Sequence, residues 1–176
     1  MQHRGSRFFD GYERDSSGKL IYTGPRYGYP GAETQRRIKL QSGLMTLGML
    51  AGEILAQFFP SLGGMQRYMA IPSLLSLVPL IFWIMGEAEL LMAKQSWELR
   101  IYYSGYRRLC RSGIWEIVLC GLWLLGELWF LIRQPVSFVS ELLYLICILL
   151  CLTCAVLMTV LLRKHPPQVV EGPKVR

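Results

Sequence analysis

Among the glutamates inside long apolar stretches of this chain, Glu53, Glu87, Glu89, Glu116 and Glu127 stand out. A charged side chain at mid-membrane costs about 2.5–3.5 kcal/mol on insertion scales, so such residues turn inward, pair, or carry a proton. Glu53 and Glu127 each follow a glycine and lie in the outer halves of the first and third stretches. Helical spacing puts Ser42, Thr46, Met49, Glu53 and Gln57 on one face. It does the same for Glu116, Cys120, Trp123 and Glu127, and for Ser76, Pro79, Trp83 and Glu87. Three such faces turned towards each other make a partly polar bundle interior. The chemistry on offer is a proton or cation site built from Glu53, Glu127 and Gln57, because two neighbouring carboxylates do not both stay charged without a counter-ion. Such a site open to one side favours transport; closed polar contacts count against it.

A structural reading competes with this and is the simpler one. Glu87, Glu89 and Glu116 can reach the interface and meet Lys94, Arg108 or Arg111. Glu127 can pair with Arg133, and Glu53 can bond Gln57 or a neighbouring helix. At an offset of 74 residues, Arg37, Leu50, Gly52 and Glu53 match Arg111, Leu124, Gly126 and Glu127. A parallel repeat would put the two Gly-Glu pairs at one depth.

Other patterns are less specific. Gly48, Gly52 and Ala56 form a small-residue stripe that admits a close helix, first within the same bundle and secondarily in a homodimer. Cys147, Cys151 and Cys154 share a helical face; without an accompanying His or paired-Cys motif they read as small apolar core residues rather than soft-metal ligands. Cys110 lies among Arg107, Arg108 and Arg111. In the segment from Trp97 to Arg108, aromatic residues alternate with cations. Beside a span, Trp97, Arg100, Tyr106, Arg107, Arg108 and Arg111 read as a contact surface for anionic lipid or a partner, and no nucleic acid is needed to explain them. No phosphate loop, zinc motif or nucleophile elbow occurs. His3 and His165 are both near the termini. No enzyme activity, cofactor or metal is expected.

These residues need elements to hold them, and composition says which. Apolar residues make up 52% and charged residues 18%, and the apolar ones are gathered into four blocks. Blocks of about 20 residues are what a bilayer crossing requires. The expected fold is an all-α integral membrane bundle of four transmembrane helices, arranged as two helix hairpins behind a short cytoplasmic leader. The leader spans 1–37, the helices 38–59, 68–92, 113–132 and 136–162, the outer turns 60–67 and 133–135, the connector 93–112 and the tail 163–176. In the leader, Asp15 to Gly18 supply turn chemistry between strand-forming runs, which predicts a β-hairpin over 10–24. Eight cations precede Leu40, so the first apolar block starts too late for a cleaved signal peptide.

Of the nineteen Lys and Arg, only Arg67 and Arg133 fall in the outer turns. That asymmetry predicts cytoplasmic N and C termini in the plasma membrane. The function expected first is a non-enzymatic accessory or interaction subunit. Its partners would be membrane lipid and another membrane protein or a second copy. The alternative is a proton- or cation-coupled transporter of small solutes.

Overall fold

The computed structural model describes residues 12–14, 18, 20–59, 61–93, 96–133 and 138–171. Four helices dominate it. Helix α1 runs Ala32–Phe58, α2 Arg67–Met92, α3 Leu99–Arg133 and α4 Phe138–Lys164. The opening of α3 contains a π-helical stretch, Tyr102–Arg107. Helices α2, α3 and α4 are long and apolar enough to cross a membrane. Helix α1 is as long as α4 but dilutes its leucines with Gln41, Gly43, Gly48, Gly52, Glu53 and Gln57, and falls outside that class. The outward faces carry exposed Leu, Ile and Val, including Leu44, Leu74, Leu125 and Ile146. An apolar perimeter this extensive suits lipid better than water.

Packing follows small residues. Helix α1 lies along α4, α2 along α3, and α3 also packs on α4; α1 and α2 touch at few backbone positions. The first expected hairpin is thus a connection more than a packed pair. The reason lies in side-chain size. A Cβ on Gly52 would stand 2.5 Å from Cys151 Sγ, and one on Gly48 2.9 Å from Cys154 Sγ, so α4 approaches along the small-residue stripe. Between α1 and α2, longer polar side chains bridge the gap instead. Ser42 donates to Glu87 Oε1 (2.8 Å), Trp83 Nε1 to Thr46 Oγ1 (2.8 Å) and Ser76 to Glu53 Oε1 (3.0 Å). Each step up α1 is matched by an equal step back along α2, the register of an antiparallel pair. At its inner end, Lys39 Nζ donates to the carbonyls of Leu91 (2.9 Å) and Ala93 (2.5 Å), which satisfies the last turn of α2.

The leader, connector and tail assemble at one end of the bundle. The expected hairpin appears as β1 (Tyr12–Arg14) against β2 (Leu20–Tyr22), with Tyr12 opposite Tyr22. The proposed turn residues 15–17 lie outside the described residues. A second pair was not foreseen. Strand β3 (Arg26–Gly28) pairs antiparallel with β4 (Gln168–Glu171), and Tyr27 also bridges to Trp97. Gly24-Pro25 and Pro30-Gly31 bound β3 on either side. Two helix starts also precede the apolar blocks. Helix α1 begins after Gly31, whose φ of 85° favours glycine, and α3 begins inside the expected connector. The first turn of α1, from Ala32 to Gln35, is polar, and that of α3 carries Arg100 and is followed by the basic Arg107 to Arg111, so hydropathy over a long window does not reveal them.

Candidate functional site

The interior of the bundle is a column of buried carboxylates in three stations. The middle one joins Glu53 of α1 to Glu116 and Cys120 of α3. One donor atom from each of the three lies within 4.8 Å of the others, and none of the residues is more than 4% exposed. Glu116 and Cys120 share a face because they are four residues apart, and their Oε2 and Sγ are 3.9 Å apart. Ser76 donates to one oxygen of Glu53. Glu53 Oε2 and Glu116 Oε1 have no hydrogen-bond partner.

The outer station places Glu127 of α3 within electrostatic reach of Glu141 of α4, and both buried Glu127 oxygens lack a hydrogen-bond partner. Glu141 also organises the outer loop, accepting from Ser61 Oγ (2.5 Å) and the Leu62 amide (2.8 Å). That loop closes over Glu127: a Cβ on Gly63 would meet Glu127 Oε2 at 2.7 Å. The inner station is Glu87 beside Ser42 and Lys39, with Glu87 Oε2 lacking a hydrogen-bond partner.

Other polar side chains occupy the intervals. Trp123 Nε1 donates to Tyr144 Oη (2.9 Å), and this tyrosine lies within electrostatic reach of Glu53, Glu127 and Glu141. Thr46 and Trp83 lie between the middle and inner stations. At 1.5 Å per residue, the eleven residues from Glu116 to Glu127 and from Ser42 to Glu53 put successive stations about 16 Å apart.

Glu53 and Glu127 therefore do not share a site. Each has a different carboxylate partner, and the equal depth implied by the 74-residue offset is not observed, because α3 is already helical from Leu99. Gln57 is exposed. Steps of four residues rotate about 40° each on an α-helix, so the run from Met49 through Glu53 leaves the interior only at Gln57, while Ala56 stays in it. Glu87 and Glu116 do not reach the interface and are buried. Glu89 does meet Arg108, at 3.8 Å, and accepts a hydrogen bond from Ser104. Glu141 was not singled out from the sequence, although its position three residues into α4 beside an outer turn is a signal for a cap.

The aromatic connector also differs from expectation. Trp97 and Tyr106 are internal, not lipid-facing: Trp97 is fully buried, edge-on to Tyr29, and exchanges backbone hydrogen bonds with Tyr27. Tyr106 donates to the carbonyl of Leu162 (3.0 Å). The leader's tyrosines cover these rings in place of lipid. Arg100, Arg107 and Arg111 are exposed, while Arg108 turns to Glu89.

No protein-family model, curated protein or solved structure matches this chain.

Two grooves flank the bundle. The larger, about 820 Å³, runs between α1 and α2 and reaches Lys39 and Glu87; the other, about 570 Å³, lies between α1 and α4. Neither is lined by Glu53 or Glu127.

Proposed function

We propose that this chain is a non-enzymatic, four-span membrane protein that passes a cation, either a proton or a bare metal ion, along its interior carboxylates. The observation that carries the reading is the column. Its three stations cover about 33 Å at 1.5 Å per residue, close to the ~30 Å of a bilayer's hydrocarbon core. Packing alone does not account for them, since apolar residues of similar volume serve at least as well as buried charges. Tyr144 and Thr46 put hydroxyl groups between stations, as proton transfer requires. The closed surroundings of Glu53 and Glu127 count against the expected small-solute transporter, and the reading is confined to a proton or a bare ion. In this reading α1 is the fourth span, with its polar face inward and its leucines towards lipid. The assembled end, holding the leader, connector and tail, faces the cytoplasm of the plasma membrane.

Vesicles containing the purified protein test this. Under an imposed potential, wild type should carry proton or cation current. Glu53→Gln and Glu127→Gln should lose it while reconstituting equally well. Absence of current in wild type across pH and a panel of cations, with glutamine variants at least as heat-stable, would overturn the reading.

A second reading, an accessory subunit, is favoured by the outward Arg100, Arg107 and Arg111. These would meet anionic headgroups or the acidic face of a partner, which includes a second copy of the chain. Stoichiometric co-purification of one protein from native membranes supports it.

A further inference from the structure

The middle station differs from the other two in having a sulfur. We propose that Glu53, Glu116 and Cys120 form a binding site for a divalent transition-metal ion of the zinc class. This deepens the function proposed above and rests on it for the idea that the stations take cations.

Three observations support the site. Its donors come from two helices and converge within 4.8 Å in a place sealed from solvent. Among the described residues, no Lys or Arg makes an ion pair with either carboxylate. Each carboxylate also keeps one buried oxygen without a hydrogen-bond donor, and such atoms call for a proton or a cation.

The donor types select the ion. Calcium and magnesium take all-oxygen shells, whereas two carboxylates and a thiol suit zinc, cobalt or ferrous iron. Ligand atoms at bond lengths of 2.0–2.3 Å in a tetrahedron stand about 3.4–3.7 Å apart. Closing from 4.8 Å therefore needs side-chain movement of about 1 Å, without helix displacement. Cys151 lies outside this cluster, its sulfur facing the Met49 carbonyl (3.6 Å), so the protein supplies three ligands. On binding, ligands that carry protons release them to water. The Cys120 thiolate and one carboxylate then balance the ion's two charges, and the second carboxylate leaves the site with a net charge of −1.

The test uses the full chain in lipid nanodiscs, stripped with chelator and titrated with Co2+ alone. One equivalent should bind and give a near-ultraviolet sulfur-to-cobalt band, which Zn2+ then removes. Cys120→Ser should lose the band, Cys110→Ser should keep it, and Glu116→Gln should weaken Co2+ binding at least about tenfold. The wild-type spectrum needs no variant to fold. No band in wild type, or an unchanged band in Cys120→Ser, overturns the site. Current in vesicles without Co2+ binding removes this proposal and leaves proton passage standing; binding without current leaves the site standing and removes the transport reading.

Discussion

Replacing Gly52 by alanine should drive α1 away from α4. The added Cβ would lie 2.5 Å from Cys151 Sγ and 3.1 Å from the carbonyl oxygen of Cys147. The thiol can rotate aside, but the carbonyl belongs to the α4 backbone and cannot. Overpacking of this kind costs about 1–3 kcal/mol. Exchanging glycine for alanine within a helix returns up to about 1 kcal/mol. Gly43 is the internal control, because a Cβ there meets nothing within 4 Å. Gly52→Ala should therefore be about 2 kcal/mol less stable than Gly43→Ala. At about 2–4 °C per kcal/mol for a chain of this size, the difference is about 4–8 °C in Tm. Tryptophan fluorescence during heating in detergent reads it. Adding Cys151→Ala should recover part of the loss, since only the thiol clash is relieved. If Gly52→Ala melts at or above Gly43→Ala, the stripe does not seat α4.

Three further outcomes follow from other parts of the fold. Single cysteines replacing Arg67 and Arg100, both exposed, should label from outside and from inside respectively in intact cells; the reverse pattern contradicts the orientation. Tyr22 Oη accepts from the Leu99 amide (3.1 Å) and donates to the Pro25 carbonyl (2.9 Å). Tyr22→Phe should accordingly speed amide exchange at Leu99 and cost about 1 kcal/mol; unchanged exchange would show that the leader is not tied to α3. Burial, and then the Glu98 carboxylate to which it donates, push the Tyr12 phenol up to about 12. Because that value lies above the ordinary 10, its contribution to stability is complete below about pH 10 and is lost as pH rises towards 12. Tyr12→Phe should lower the tyrosinate absorbance that develops near pH 12 by one residue's share and leave the change near pH 10 intact.

The interior faces were legible because one polar residue every three or four positions in an apolar helix has few places to go. Ser42, Thr46, Glu53, Ser76, Trp83, Glu116 and Glu127 are all buried on those grounds. Depth and partnership were not legible. Periodicity fixes a face, but a helix that starts seven or more residues before its apolar block shifts every level above it. So Glu53 meets Glu116 rather than Glu127. Glu116, Glu87 and Glu141 were assigned to interfaces or passed over for the same reason, since position within an apolar block was standing in for depth. The buried Trp97 and Tyr106 illustrate a second limit. An aromatic and basic segment has the same composition whether its rings face lipid or a leader more than sixty residues away in sequence. The β3–β4 pair joins segments about 140 residues apart, a pairing that local pattern does not encode. Val169 and Val170 after Pro166-Pro167 are its one local trace.

The most direct test of the central claim, that the column passes a cation, is current through vesicles holding Glu116→Gln beside wild type. Glu116 is fully buried in the middle station and lines neither groove, so its loss interrupts the column without altering the surface. Wild type should dissipate an imposed proton or Co2+ gradient well above protein-free vesicles, and Glu116→Gln, reconstituted to the same density, should fall to the protein-free rate. A Glu116→Gln protein that conducts like wild type, or a wild type no faster than empty vesicles, would contradict the account.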